Sequence, residues 1–226
     1  MVRTQKLITG QVYHVFSRTI AKYVVFHNDY DYIRMAKMIE YYQYRDRPIS
    51  FSKFDRMTSE QIKETNTVVS QSDQKLVQII AYCSMPTHIH LVLKQTVDNG
   101  ISDFVRRLLN SYARYFNTKY DRKGPLWEAR FKNVRVETDD QLLHLTRYVH
   151  LNPVTAYLTN DPADWRASSY KEYVSLDKKA KRMCEYGDLF EIRPAQYLSF
   201  VQDRVFYQRD LAKIKHLLFD EDESIA

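Results

Sequence analysis

The sequence predicts an α/β sandwich with a C-terminal helical appendage. Three observations lead there. Short apolar segments with strand-like alternation take turns with amphipathic helical patterns. The connections between them are mostly short, which favours neighbouring elements that pack directly on one another. The chain has 226 residues of which 44% are hydrophobic, enough to bury a sizeable core. No internal repeat interrupts this pattern.

Residues 10–18 alternate well enough for a first strand, and 23–26 form a short apolar run. Asn28 or Asp29 can cap a helix over residues 31–44, whose apolar positions follow helical spacing. Pro48 stops it, and residues 49–51 suggest the start of a strand. From about 53 to 75 the chain is rich in Ser, Thr, Gln, Lys and Glu, which reads as a surface insertion. Two apolar runs, 76–83 and 88–94, then flank Ser84-Met85-Pro86-Thr87 as strand, turn, strand. Asn99-Gly100 breaks the chain before a helix over 102–119. Its apolar stripe runs through Phe104, Leu108, Tyr112 and Tyr115, with a cationic opposite side. Gly124-Pro125 marks a turn, and 130–136 a further strand. Thr138 and Gln141 have capping-box spacing at the start of another helix, which Pro153 is expected to end at Asn152. Tyrosine-rich sequence follows from Trp165, then a helix over 194–218 and an acidic tail.

Composition narrows the class of partner. There are 34 Lys and Arg against 28 Asp and Glu, a net charge of +6, and 18 tyrosines. A basic chain favours a polyanion, and cations interleaved with aromatic faces suit single-stranded nucleic acid. No run of about 18 apolar residues is present, so neither a membrane-spanning helix nor a membrane partner is expected. The first residues lack the apolar segment of a secretory signal. Cys83 and Cys184 form no CxxC pattern and suggest no disulfide framework. A cytoplasmic location is the expectation, nucleoid-associated when bound to DNA.

His88-Ile89-His90 carries the clearest chemical signal. On a strand both imidazoles share one face while Ile89 points into the core, so they can share a metal ion. Such a pair also occurs on half-exposed strands without any ligand. Tyr148 and Asn152, at i and i+4 on the capped helix, face the same way, with His144 one turn earlier. A phenol beside a metal suggests a nucleophile: with an ordinary pKa of about 10 it needs help at neutral pH, which a metal that polarises a phosphate supplies. Asn152 offers an amide oxygen to the same ion. By spacing alone, Tyr148 equally suits edge packing and Asn152-Pro153 a helix stop.

Four segments together resemble the HUH-type single-tyrosine transposases (His, hydrophobe, His), in particular the REP-associated branch. They are Tyr82 to Lys94, the run Ser111-Tyr112-Ala113-Arg114-Tyr115-Phe116-Asn117, Arg130-Phe131-Lys132, and Arg147 to Val154. The resemblance spans about residues 12–170. It implies a ferredoxin-like α+β sandwich with an antiparallel sheet over residues 1–160, and a C-terminal extension, 161–226, packed on it. It implies that His88 and His90 hold a divalent metal, Mg2+ or Mn2+, with Asn152 as third ligand. It implies that Tyr148 attacks a DNA phosphate to leave a 5′-phosphotyrosine link and a free 3′-OH. The expected substrate is single-stranded or hairpin DNA of the REP type. Two imidazoles and an amide oxygen by themselves suit manganese better than magnesium.

Arg106, Arg107, Arg114, Arg122, Lys123, Arg130, Lys132 and Arg135 are the candidate contacts to the DNA backbone, or else solvating cations of exposed faces. Tyr120 and Trp127 can stack bases or cover the core. Two other functions stay open: a binding-only descendant acting on repeated hairpins, and an HxH hydrolase that activates water. A monomer is preferred over a homodimer, since the tyrosine-rich C-terminal region can cover a surface that would otherwise pair.

Overall fold

The computed structural model describes residues 6–62, 74–128, 130–177 and 179–205. Its centre is a four-stranded antiparallel sheet made of β1 (Val12–Arg18), β2 (Val77–Met85), β3 (His88–Gln95) and β4 (Lys132–Val136), in the order β2-β3-β1-β4. Helix α1 (Asp29–Tyr42) lies between β1 and β2 in the chain, and α3 (Gly100–Lys119) between β3 and β4. This βαββαβ connectivity is the ferredoxin-like arrangement, as the resemblance implies. Further helices among the described residues include the short α2 (Phe51–Phe54) and α5 (Tyr170–Val174), and the longer α4 (Asp139–Thr155) and α6 (Pro194–Gln202).

The two sheet faces have different roles. Tyr13 and Val15 of β1, with Ile89, Leu91 and Leu93 of β3, point to the face covered by α1 and α3, where Met35, Met38, Phe104, Leu108 and Tyr112 complete the main core. The opposite face carries Val12, Ile80, Ala81, Cys83, Met85 and Val92, covered by Leu142 and Val149 of α4. Helix α4 thus lies over β2. The β4 end of that face stays open, and Val134 there is 55% exposed. The β2–β3 register shifts between Ile79 and Ala81, an extra residue of the kind that increases local twist.

β2 is an edge strand, and the chain covers its edge. Ser84 N–H donates to Ala167 O, Ser169 N–H to Tyr82 O and Glu185 N–H to Ile79 O. The C-terminal region therefore occupies a surface open to pairing. A buried polar network ties it to α4. His150 Nδ1 lies 2.6 Å from Tyr197 Oη and its Nε2 lies 2.8 Å from Ser169 Oγ. Tyr197 also donates to Thr146 Oγ1 at 3.1 Å.

Several boundaries differ from expectation, each for a local reason. Residues 49–51 start no strand: Phe51 instead opens α2 and buries its ring. The Ser84–Thr87 turn is shorter than expected, since β2 runs through Met85. Thr138 Oγ1 accepts from Gln141 N–H at 3.1 Å, but Gln141 reaches back to Glu137 N–H at 2.8 Å, one residue beyond a standard box. Helix α4 does not stop at Asn152 but continues to Thr155 with Pro153 inside it. Pro153 has no N–H for the carbonyl of Val149; the Asn152 side-chain amide approaches that oxygen at 3.5 Å and the Tyr148 carbonyl at 2.9 Å. The polar insertion lies partly, at residues 63–73, outside the described residues. So does the expected 194–218 helix beyond residue 205.

Candidate active site

The two central strands build the site. Antiparallel pairing sets Arg18 opposite His88, Phe16 opposite His90 and His14 opposite Val92. Cross-strand partners share a face, so His14, Phe16, Arg18, His88 and His90 all point to the α4 side. On β4, Lys132 pairs with Phe16 and joins the same face. His88 and His90 sit as expected, with ring centroids 5.0 Å apart. Tyr148 projects from α4 over the histidines, its ring 5.9 Å from that of His90 and 6.0 Å from that of His14, edge-on to both. It is 44% exposed and open to solvent.

The imidazoles of the pair are held in their neutral form. Burial pushes His90 down to about 2, with His88, His14 and Arg18 adding to the effect. Burial, then the Arg18 charge, lowers His88 to about 4. Both rings are therefore neutral at pH 7, the form that binds a metal. Each has its Nδ1 engaged by the protein: Thr87 Oγ1 lies 3.0 Å from that of His88, and His14 Nε2 lies 3.0 Å from that of His90. Neither Nε2 has a hydrogen-bond partner among the described residues. One ring nitrogen held and the other free is how metal-bound histidines are usually set. Asn152 commits its side-chain N–H to the helix backbone, which leaves Oδ1 as a donor for an outside group. No group of three His, Cys, Asp or Glu side chains suited to a metal occurs among the described residues. The nitrogen donors that the structure brings together here are the imidazoles of β1 and β3.

The other sequence-derived residues divide. His144 turns away from the pair: it lies 2.7 Å from an Arg147 nitrogen, and its ring packs against Phe200. Trp127 takes the second of its two readings. It is 8% exposed and its Nε1–H donates to Leu109 O, so it covers the core. Tyr120 is 37% exposed, and its hydroxyl reaches Asp31 at 3.3 Å. Arg122 spends its guanidinium on Asn117, Gly124 and Pro125 as a turn lock. Arg107 donates to Arg45 O, Arg106 pairs with Asp103, and Arg135 donates to Gln11. Arg114 lines a cavity of about 530 Å³ with Arg34, Arg56 and Lys119, among residues of α1, α2 and α3, the helices of the opposite side. Lys123 and Arg130 are exposed. Of the ten candidates, Lys132 alone lies in the pairing row of the histidines.

Two residues of the site escaped the sequence reading, His14 and Arg18. Both stand on the correct face of β1, but only the pairing of β1 with β3, 76 residues apart at His14 and His90, brings them to the pair.

Residues 50–152 match the model of the family described as IS200-like transposase, a stretch that includes His88, His90, Tyr148 and Asn152. A protein of Haemophilus influenzae strain Rd, named as a candidate REP-associated tyrosine transposase, is 29% identical over 112 residues, 44% of this chain and 62% of that protein. The match thus spans less than two thirds of that relative. The fold is similar to the solved structure of a REP-associated tyrosine transposase bound to a REP hairpin. The TM-score is 0.55 at 15% identity, over 85% of this chain and 94% of the other. At that identity the likeness is one of fold.

Proposed function

We propose that the protein is a metal-dependent single-stranded DNA endonuclease and strand transferase that uses Tyr148 as its nucleophile, a reading supported by the match of residues 50–152 to the IS200-like transposase model. The observation that carries this reading is the meeting of an exposed tyrosine with two neutral imidazoles, His90 buried and His88 half-buried, on one face of the sheet. His88 and His90 would hold Mg2+ or Mn2+, with Asn152 Oδ1 as third ligand. The ion supplies charge neutralisation and polarisation at the scissile phosphate.

The chain's own residues do the rest. The phenol oxygen of Tyr148 attacks phosphorus and releases its proton to solvent. The P–O bond to the 3′ oxygen breaks, and that oxygen takes up a proton to become a free 3′-OH. The 5′ side stays linked to the tyrosine. A 3′-OH from a second strand then attacks the phosphotyrosine, restores the phenol and joins the strands, so bond energy is conserved. Arg18 and Lys132, cations on the site face, are suited to the flanking phosphates. A hairpin of the REP type is the proposed substrate, supported by the likeness to the hairpin-bound structure. A monomer is the proposed working unit, supported by the covered β2 edge.

The test is a denaturing gel of the protein with end-labelled hairpin DNA from repeats near its gene, with Mg2+, Mn2+ or chelator. A metal-dependent covalent adduct that vanishes in Tyr148→Phe is expected. The Tyr148 hydroxyl makes no hydrogen bond among the described residues, so this variant should keep its stability within about 0.5 kcal/mol. Cleavage that persists in Tyr148→Phe without an adduct would replace the reading with water-activated hydrolysis. Tight binding with neither product would leave a DNA-binding protein.

A further inference from the structure

We propose that His14 is a positioning residue of the metal centre: it accepts the Nδ1–H of His90 and so fixes the tautomer that turns His90 Nε2 toward the ion. This rests on the reading of His88 and His90 as a divalent-metal site.

The geometry is specific. His14 Nε2 stands 3.0 Å from His90 Nδ1, and the two rings stack at 5.2 Å with an interplanar angle of 20°. A contact between two ring nitrogens at that distance needs one proton between them. A free neutral imidazole can carry its proton on either nitrogen. With the proton on Nε2, His90 would offer no lone pair to the site. With His14 as acceptor the proton stays on Nδ1, and Nε2 is left as a donor atom for the ion. Thr87 Oγ1 stands to His88 as His14 does to His90, also at 3.0 Å, so both histidines are held by the same device. His90 is 5% exposed, and water cannot easily replace the missing partner. His14 also touches the Tyr148 ring, so one side chain braces both the ligand and the nucleophile.

His14 is the less suitable choice as a ligand itself. Its Nε2 is already spent on His90, and no three-donor cluster suited to a metal forms with it among the described residues. His14 lies on β1, outside the segment that matches the transposase family, and only the β1–β3 register assigns it.

Two measurements on the full chain test the proposal. The first is the imidazole nitrogen spectrum of 15N-histidine-labelled, metal-free protein, with His90 assigned by its loss in His90→Gln. His90 is expected in the Nδ1–H form. An Nε2–H form would overturn the proposal without any variant of His14. The second is Mn2+ binding, followed by electron paramagnetic resonance in the absence of DNA. His14→Leu should weaken it by about 10- to 100-fold. His14→Gln, which restores an acceptor oxygen, should recover most of the loss. Wild-type affinity in His14→Leu would overturn the proposal, as would a loss that His14→Gln does not repair. A wild-type protein that binds no Mn2+, or binds it equally well as His88→Ala, would instead refute the metal reading on which the proposal rests.

Discussion

His150 gives a quantitative check on the interior of the fold. It is fully buried between Tyr197 and Ser169, and burial pushes it from the ordinary 6.5 down to about 3. The unfolded chain takes up a proton there below about pH 6.5, and the folded protein does not until about pH 3. The unfolded state therefore binds more protons in that window, so stability is complete above it and falls with pH inside it. The slope is about 1.4 kcal/mol per pH unit, which amounts to about 2 kcal/mol between pH 7 and pH 5. His150→Gln presents an amide to the same two hydroxyls but cannot titrate. Urea unfolding of both proteins at pH 7 and pH 5, at constant ionic strength and without metal, reads the difference. The other histidines act equally in both proteins and cancel. Wild type should lose about 2 kcal/mol more than the variant. Equal losses would show that His150 is not held neutral in the fold.

Further outcomes are expected elsewhere. A Cβ on Gly100 would lie 2.0 Å from the backbone oxygen of Leu76, so Gly100→Ala should displace the start of α3 or β2 and lower Tm by several degrees; an unchanged Tm would contradict the close approach. Trp127→Ala should cost about 3–5 kcal/mol of stability, read by denaturant unfolding, since the indole fills core. A stable variant with weaker DNA binding would restore its base-stacking reading. Lys132→Gln should weaken DNA binding across sequences and lower the slope of log affinity against log salt by about 1. Arg122→Gln should leave that slope unchanged, because its guanidinium already serves the 117–125 turn.

Much of the fold was legible where local pattern and burial coincide. The β2–β3 hairpin shows as two apolar runs about a Pro-Thr turn, and α3 shows as a stripe that does bury Phe104, Leu108 and Tyr112. Asn28 was legible as a cap, and its side chain accepts from Asp31 N–H at 3.2 Å. Local pattern failed where tertiary contacts decide. Phe51 reads as the start of a strand, yet its ring packs beside Tyr41 and Tyr42 of α1 and the backbone turns helical. Pro153 reads as a stop, yet the Asn152 side chain serves the carbonyls of that turn and the helix continues. His88, His90, Tyr148 and Asn152 could be singled out because each pair lies close in sequence. His14 and Arg18 could not, since nothing near them in the chain marks which strand they will face. Trp127 and Tyr120, both aromatic beside cations, look alike in sequence and part only on burial.

The pairing of β1 with β3 has a consequence for when the candidate site comes into being. Side chains alternate along β1, so a slip of one residue would send His14 toward the main core and bring Val15 and Ser17 to the histidines. Residues 14 and 90 meet only after a loop of 76 residues has closed, a late and slow event in a folding chain. The hairpin that carries both metal-binding candidates forms locally and early, but it lacks its brace. Assembly of the candidate site thus waits on a pairing between residues 76 positions apart, and a nascent or misregistered copy carries the histidine pair without its brace.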